Sequence, residues 1–477
     1  MFWVCQMSTK PRSLLANFTS LFVGTVGAKV LALLSVVLLS RYLGVADFGR
    51  YSLVFSFFAL LNTVVDLGAG SLLAREVSSN LKQPRKSFET AIYLRILGCV
   101  VFLPPAFLLA PLLGIDHHLT LAVMLGVFCA FEAFYDAWFT AAMRLDSVAK
   151  ARFFAGVVNL VLIALAIFMH LGLWWVVLVG MLNPLVKLGF DHYYCDNDFA
   201  IKLHTPDFTA IKNTLRDTLP LWWMGLLYII LARVDTFMLV GLSPQTGDYD
   251  LGIYAAAFRF SEMLALVTTA ITPAVLPVLV HAKNNPQQMQ WMTAVGTRVV
   301  MAGLLAVCML MFWYAPLVIG IFYGQEYAPA TQCLQVLVWS QAMVAVNSLA
   351  YQILMVYNEH GRRSVMLACV GMVAVNILAN WYLIPRYQAM GASIATVLTE
   401  IAMLVVMVYF VEKLTPGRLL KEVTLLPVLC GLACLPLLWL HWGWGAVSVV
   451  LFAVLLFATG LLTPALIKKL AQSKIEN

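Results

Sequence analysis

The stretch FFAGVVNLVLIALAIFMHLGLWWVVLVGMLNPLV, residues 153–186, decides the fold. It carries no charged residue, and it is too long for a single crossing of a bilayer, which takes about 20 residues. His170-Leu-Gly172 interrupts it near the middle, where a tight turn would let the chain cross and return. Residues 423–467 repeat the pattern, with a break at 441–445. Each stretch therefore predicts two membrane-spanning helices joined by a short turn.

The composition of the whole chain agrees with a protein that crosses the membrane many times. Of its 477 residues, 62% are apolar and 11% are charged, whereas soluble proteins average about 45–50% and about 25%. Apolar runs of spanning length recur along the chain, and they predict an all-α polytopic membrane protein with about 14 transmembrane helices. The nine cysteines lie mostly in apolar stretches without a CxxC motif, which indicates buried thiols.

Basic residues are distributed unevenly between the predicted loops. With the N-terminus placed in the cytoplasm, most of the 30 basic residues fall in cytoplasmic segments, and the outside loops hold Arg41, Arg50 and Arg386. Cytoplasmic loops of membrane proteins carry such an excess of Lys and Arg. The sequence therefore predicts that both termini are cytoplasmic. The net charge of +7 then reflects these loops and indicates no nucleic-acid partner.

Two segments of the chain resemble each other, FGRYSLVFSF at 48–57 and LGIYAAAFRF at 251–260. Each opens the second predicted span of its half, so an even number of spans separates the copies and both run in the same direction. Parallel repeats of this kind are typical of transporters, although an aromatic-rich chain could also repeat the pattern by chance. At one fixed offset, four residues match between the copies: Gly49, Tyr51, Phe55 and Phe57 with Gly252, Tyr254, Phe258 and Phe260.

The repeat and the loop pattern predict a division of the chain into four parts. The polar segment between the sixth and seventh spans separates two halves of similar length. We expect an N-terminal six-helix bundle at 1–195, a cytoplasmic linker at 196–216, a C-terminal six-helix bundle at 217–412, and two additional helices with a cytoplasmic tail at 413–477.

Several charged residues fall inside the predicted spans, where a charge costs at least about 2.5–3.5 kcal/mol at mid-bilayer. A water-filled cavity with basic side chains would bind a phosphate or pyrophosphate, because the guanidinium fork matches phosphate oxygens. We expect this cationic group to comprise Lys29, Arg233, Arg259 and Arg298. We expect the acidic residues of the spans to balance charge or to carry a coupling proton or sodium ion: Asp235, Glu262 and Glu400. Alternatively, these charges pair between helices and hold the bundle together.

The other charged residues in the spans are predicted to stabilise the helix bundle and not to take part in transport. Arg95, Glu132 and Asp136 lie at comparable depth and would form a structural ion network. Arg233 and Asp235 point roughly 200° apart on a helix, so they should take different partners. No Walker A loop, HExxH motif or other metal-ligand spacing occurs in the sequence. We therefore expect no catalytic residue, no metal site and no cofactor beyond a coupling ion.

Several segments resemble the polysaccharide transporter family of the multidrug/oligosaccharidyl-lipid/polysaccharide (MOP) flippase superfamily, which includes the flippases for O-antigen repeat units. Each segment is weak alone, and together they follow the family's order along the chain. The segments are LSRYLGVADFGRY (39–51), DLG (66–68), VDTFMLVG (234–241), LGIY (251–254), NILAN (376–380), LIP (383–385) and GASIAT (391–396).

The resemblance implies two six-helix bundles around a cationic cavity. It implies that the protein flips an undecaprenyl-pyrophosphate-linked oligosaccharide from the cytoplasmic to the periplasmic leaflet of the bacterial inner membrane. The flipped unit would serve the synthesis of O-antigen, a part of lipopolysaccharide, or of another surface polysaccharide. A polysaccharide polymerase and a chain-length regulator are the partners it implies, alongside membrane lipid.

Two relatives of that family fit less well and stay as alternatives. Lipid II flippases carry arginines in their first spans, where this chain has Lys29 alone. Multidrug extruders carry an acidic residue in the first span, where this chain has none, and a basic cavity would repel their cationic cargo. A cation-coupled drug exporter and a lipid II flippase are therefore the competing functions. A membrane-bound polymerase or ligase would need a larger outside loop than the sequence predicts.

Overall fold

A computed structural model of the chain describes residues 14–70, 73, 84–141, 144–195, 208–243, 245–282, 285–357, 359–434 and 445–461. The regular structure of these residues is helical, and no strand occurs among them. A helix satisfies its own backbone hydrogen bonds, which is the condition for crossing hydrocarbon without paired strands. The predicted all-α membrane fold is confirmed.

Two of the described connections between helices contain 3₁₀ turns, at Ala110–Leu113 and Gln325–Tyr327. In chain order the helices are α1 (Leu14–Asp66), α2 (Pro84–Leu109), α3 (His117–Cys129), α4 (Glu132–Ala141), α5 (Leu145–Phe168), α6 (Leu173–Met181), α7 (Asn183–Tyr194), α8 (Phe208–Leu242), α9 (Gly247–Ala282), α10 (Pro286–Phe322), α11 (Ala330–Tyr357), α12 (Glu359–Leu414), α13 (Leu420–Cys434) and α14 (Gly445–Ala458).

The break predicted within residues 153–186 is present. α5 ends at Phe168, α6 begins at Leu173, and His170 between them has a left-handed φ of 53°. The Leu171 N–H donates to the carbonyl of Ala166, which closes the end of α5 as left-handed helix caps do. Tyr42 Oη donates to the Leu171 carbonyl at 2.9 Å and ties this turn to α1.

α1 and α12 are each too long for one crossing, and each contains a kink. Gly44 has a φ of 73° inside α1, and Gln388 has a φ of 51° inside α12. Glycine adopts this left-handed backbone at no steric cost, which explains the residue at the first kink. With 53 and 56 residues, each helix has room for two crossings of about 20 residues on either side of its kink.

Nine stretches of the described helices are long and apolar enough to cross a membrane. The stretches within α1 and α12 have 43 and 52 residues, so one apolar stretch can contain more than one crossing of the membrane. The number of crossings, about 14 from the sequence, therefore stays a prediction.

Packing divides the chain into two compact units. Unit 1 consists of Met1–Tyr42 and Leu53–Ile229, and unit 2 consists of Leu43–Ser52 and Ile230–Asn477. The predicted linker 196–216 falls within unit 1. Its residues 208–216 form the first turns of α8, and 196–207 lie outside the described residues. The predicted boundaries follow chain order, whereas packing places residues 43–52 with the second half, so those boundaries stay a prediction.

Each unit has its own apolar core. The core of unit 1 is built on α2 and α4, and includes Phe88, Leu94 and Phe134. The core of unit 2 is larger and draws on α10 to α14, with Cys308, Val346, Met407 and Phe452 among its buried side chains. These packed helices hold the charged and polar groups of each unit in place.

Candidate functional site

Two arginines and one glutamate of unit 2 form a net cationic group. Arg233 lies on α8, whereas Arg259 and Glu262 lie one turn apart on α9. Arg233 Nη2 is 3.8 Å from Glu262 Oε1, and Arg259 Nη1 is 3.4 Å from Glu262 Oε2. One carboxylate shared by two guanidinium groups leaves a net positive charge and several free N–H donors. Arg233 Nε is itself buried without a hydrogen-bond partner. The group can bind an anion.

A second polar group of unit 2 surrounds Asp235, which is 5% exposed. Tyr254 Oη and Thr396 Oγ1 donate to Asp235 Oδ2 at 2.9 and 3.0 Å. Asn380 Nδ2 donates to Asp235 Oδ1 at 2.6 Å. Within the described residues the carboxylate forms no ion pair with a basic side chain. These neutral donors satisfy the two oxygens and leave the negative charge unmatched.

Two asparagines extend the Asp235 group along α12. Asn376 and Asn380 lie one turn apart on one face of that helix, and Asn380 Nδ2 also reaches Asn376 Oδ1 at 3.1 Å. Asn376 Nδ2 donates to Thr399 Oγ1 at 3.3 Å. Asn380 Oδ1 is buried without a partner. The group is therefore rich in oxygen atoms, which are the ligands of hard cations.

Arg298 on α10 takes a partner that the sequence reasoning did not consider. Its Nη2 and Nε bind Glu422 on α13 at 2.7 and 3.1 Å, and its Nη1 donates to the Leu461 carbonyl at 2.9 Å. Such a two-bond pair uses the guanidinium fork fully. Glu422 is 2% exposed. Arg298 thus holds α13, and Leu461 beyond the end of α14, against α10, which differs from the predicted cavity role.

Lys29 and Glu400 are the remaining charged residues of the predicted site. Lys29, on α1 of unit 1, is exposed, and it has no ion pair in the part of the chain that the structure describes. Glu400, on α12 of unit 2, accepts a hydrogen bond from Asn347 Nδ2 on α11 at 2.8 Å. Unlike Glu262, Glu400 has no basic partner among the described residues.

The predicted trio of Arg95, Glu132 and Asp136 is divided between two ion networks of unit 1. Arg95, 1% exposed, has its Nη1 3.6 Å from Asp66 Oδ1. Its Nη2 donates to Asn62 Oδ1 at 2.6 Å and to the Val127 carbonyl at 2.8 Å.

Asp136 instead belongs to a second network, where it binds Arg152 on α5 and Lys187 on α7, each at 2.9 Å. Lys187 also binds Asp191 at 2.9 Å, so it is buried between two carboxylates. Glu132 Oε2 is buried without a hydrogen-bond partner. The trio is therefore not one ion-paired group, because neighbouring helices offer Arg95 and Asp136 other partners.

Some partners could have been found from the sequence and others could not. Asn376 and Asn380 share the spacing that places two side chains on one helix face, which is visible in the segment NILAN. Arg233 and Asp235 take different partners, as their positions on one helix require. Glu422 and Asn347 carry no local signal, because each meets its partner through packing of distant segments. Among the described residues, no three His, Cys, Asp or Glu side chains lie together as metal ligands.

Comparison with known proteins shows which family the chain belongs to. Residues 38–332 match the family described as polysaccharide biosynthesis protein. An uncharacterized membrane protein of Methanocaldococcus jannaschii, MJ1068, is 27% identical over 124 residues. That match covers 26% of this chain and 24% of the archaeal protein, so the chain spans about a quarter of the length of this relative.

Comparison with solved structures shows which proteins share the fold of the chain. The lipid II flippase MurJ in an inward closed conformation is similar with a TM-score of 0.70 and 13% identity, over 92% of this chain and 98% of that chain. An inward-facing multidrug resistance transporter of the MATE family, of the MOP superfamily, is similar with a TM-score of 0.61 and 15% identity, over 86% and 96%. At these identities the likeness concerns the fold.

Proposed function

The chain belongs to the polysaccharide biosynthesis protein family and has the fold of the MOP flippase superfamily, and on that premise we propose that it flips a lipid-linked oligosaccharide. The substrate is a polyprenyl-pyrophosphate, such as undecaprenyl-pyrophosphate, that carries one repeat unit of a surface polysaccharide. The protein moves it from the cytoplasmic to the periplasmic leaflet by alternating access. It is a transporter and not an enzyme.

The observation that carries this proposal is the arginine pair that shares one glutamate. Arg233 and Arg259 bring two guanidinium groups to a single carboxylate, and Arg233 lies in a helical stretch that is long and apolar enough to cross a membrane. A diphosphate offers several anionic oxygens with the spacing that guanidinium forks bind in pairs of hydrogen bonds. A neutral or cationic cargo would gain nothing from this excess of positive charge.

Glu262 gives the binding step a mechanism. Before the substrate arrives, Glu262 neutralises part of the positive charge and orients both arginines. The diphosphate then replaces Glu262 as their ligand, so the half-buried arginines exchange one anionic partner for another. Because the exchange is nearly balanced, the substrate can also leave on the opposite side of the membrane.

Of the other two basic residues predicted to bind the substrate, Lys29 has a side chain that is available to do so. Its ammonium group is exposed on α1 and has no ion pair within the described part of the chain, and a single charge suits phosphate as a point contact. We therefore assign Lys29 a contact with the diphosphate during transport. Arg298 is left out, since Glu422 already occupies its fork.

The coupling ion, a proton or Na⁺, binds at Asp235. This carboxylate is buried in unit 2 beside hydroxyl and amide oxygens and without a basic partner among the described residues. A charge in that position is costly unless a proton or a cation matches it. An ion that binds there on one side of the membrane and leaves on the other would drive the cycle.

The family and the orientation predicted from the sequence support a proposal for the biological setting. We place the protein in the bacterial inner membrane with both termini cytoplasmic, in the synthesis of O-antigen or another surface polysaccharide. A polysaccharide polymerase and a chain-length regulator would act on the flipped unit. A lipid II flippase or a cation-coupled drug exporter of the same superfamily is the competing function.

The test is flipping in proteoliposomes. A polyprenyl-pyrophosphate oligosaccharide is loaded in one leaflet, and its accessibility to an added glycosidase is followed with and without the protein. The proposal expects protein-dependent exposure of the sugar, and its loss in Arg233→Ala and Arg259→Ala. Arg386→Ala is the matched control, because Arg386 is exposed and stacks on Tyr382.

The outcomes separate the candidate functions. Exposure of lipid II alone, among several donors, would identify a lipid II flippase. Absence of exposure for every donor with folded protein, together with efflux of a cationic dye, would identify a drug exporter. Full flipping in both arginine variants would contradict the assigned diphosphate site.

A further inference from the structure

Glu400 and Asn347 form an incomplete hydrogen-bonded pair within unit 2. Asn347 on α11 is 7% exposed, and its Nδ2 donates to Glu400 Oε2 on α12 at 2.8 Å. The other end of the same amide, Oδ1, is buried and has no hydrogen-bond donor. A buried amide oxygen that accepts no hydrogen bond destabilises the folded state, and native structures contain few such atoms. A donor is therefore missing from this site.

Among the described residues, none near Glu400 supplies a positive charge that could hold it as an anion. The helices packed against α12 are chiefly α11 and α9. α11 contains no Asp, Glu, Lys, Arg or His, and its titratable groups are Cys333, Tyr351 and Tyr357.

The charged groups of α9 have other partners within unit 2. Arg259 binds Glu262, and Asp248 binds Arg50. Asp250 accepts from Thr246 at 2.6 Å, and Tyr254 donates to Asp235. On α12 itself, Lys413 lies more than three turns beyond Glu400 and bonds to Tyr409 Oη. In the described part of the chain, Asn347 is the recorded side-chain partner of Glu400.

We propose that Glu400 and Asn347 form a proton-binding site, in which Glu400 carries a proton at neutral pH and donates it in a hydrogen bond to Asn347 Oδ1. The ligand is the proton itself. A carboxylic acid and a primary amide each have one donor and one acceptor side by side, so they close a ring of two hydrogen bonds. The bound proton thereby supplies the missing donor and removes the unmatched negative charge in one step.

The site can exchange its proton and transmit the change. Glu400 is half-buried, so the proton site lies at the edge of the packed core. When the proton leaves, the carboxylate repels Asn347 Oδ1, and the pair retains one hydrogen bond of two. The contact between α11 and α12 therefore weakens on deprotonation. This site is separate from the Asp235 group, whose carboxylate meets three donors.

Infrared spectroscopy of the purified full-length protein in lipid nanodiscs tests the site. A protonated carboxyl group has a C=O stretching band that a carboxylate lacks. We expect this band at neutral pH, its disappearance on alkaline titration, and its loss in Glu400→Gln. The variant should keep its thermal midpoint, because a glutamine amide closes the same ring with Asn347. Glu412→Gln is the matched control, since Glu412 lies on the same helix beside Arg418 and should contribute no such band.

A second variant keeps the test decisive if Glu400→Gln fails to fold. Asn347→Leu removes the acceptor at similar volume, and the C=O band of Glu400 should then move to higher frequency. A band unchanged in Glu400→Gln, or unmoved in Asn347→Leu, overturns the proton site. The readout needs no lipid-linked sugar, so it stands or fails independently of the flipping assay.

Discussion

Gly49 on α1 and Gly252 on α9 lie in a reciprocal backbone contact. A Cβ built on Gly49 would overlap the carbonyl oxygen of Asp248, and a Cβ built on Gly252 would overlap the carbonyl oxygen of Val45. Val45 precedes Gly49 by one helical turn, as Asp248 precedes Gly252. The two copies of the sequence repeat thus meet as the two sides of a two-fold contact do, each using the same surface. All four residues belong to unit 2.

This contact predicts that each glycine is required for packing. Gly49→Ala and Gly252→Ala should each destabilise the protein by about 1–3 kcal/mol, because a methyl group would force two helix backbones apart. The measurement is the thermal midpoint of the purified protein in detergent.

Gly303→Ala on α10 is the control for the glycine contact. A Cβ at Gly303 meets nothing within 4 Å, and alanine favours a helix more than glycine does. Its midpoint should stay equal or rise. If Gly49→Ala and Gly252→Ala both behaved like this control, the close approach of α1 and α9 would be wrong.

The ion pair of Arg298 and Glu422 predicts a large and non-additive loss of stability. Either Arg298→Leu or Glu422→Leu leaves a buried charge alone, which costs about 3–5 kcal/mol. The double variant leaves no charge unpaired, so it should lose much less than the sum of the two single losses. A double-mutant cycle on chemical unfolding measures the difference, and additive losses would contradict the pair.

The same double variant separates a structural role of Arg298 from a transport role. If Arg298 only joins α10 to α13 and α14, the double variant should flip the lipid-linked sugar as the unchanged protein does. Loss of flipping in a folded double variant would return Arg298 to the cationic binding group predicted from the sequence.

Asp235→Asn should preserve the fold and abolish coupling. The new amide keeps one acceptor oxygen, and the amide of Asn380 can turn its unpartnered Oδ1 toward the new N–H donors. Without a carboxylate, however, no proton or cation is held. The measurement compares flipping in proteoliposomes with and without an imposed proton or sodium gradient. A variant that still responds to the gradient would place the coupling ion elsewhere.

Arg95 should contribute to stability and not to transport. Its guanidinium group, 1% exposed, joins α2 to Asp66 and Asn62 on α1 and to the carbonyl of Val127 on α3. Arg95→Met leaves these polar groups without their donor and should cost about 3–5 kcal/mol. Chemical unfolding measures the loss, with the exposed Arg386→Met as the control. A loss no larger than that of the control would contradict the network.

The helices could be predicted well because hydropathy is a local property. The uncharged stretch 153–186 with His170 at its centre is sufficient to place the end of α5, the turn and the start of α6, although α5 begins earlier, at Leu145, because hydropathy does not mark the part of a helix that lies outside hydrocarbon. The repeat located Gly49 and Gly252 at equivalent positions, but it gave no sign that the two glycines would face each other.

The charged residues could be located from the sequence but not paired. Arg298 and Glu422 are 124 positions apart, and Arg95 lies 33 positions from Asn62. The sequence predicted that Arg95, Glu132 and Asp136 share a network, whereas Asp136 binds Arg152 and Lys187 instead.

The sequence by itself determined that this chain is a many-spanning helical protein, and it predicted the orientation of the spans and the costly charges inside them. The tertiary structure alone decided which of those charges are paired between distant helices, such as Arg298, and which have no partner of opposite charge among the described residues, such as Asp235 and Glu400. The physical reason is that transfer into a bilayer is a sum over neighbouring residues, whereas an ion pair depends on one distance between helices far apart in the chain.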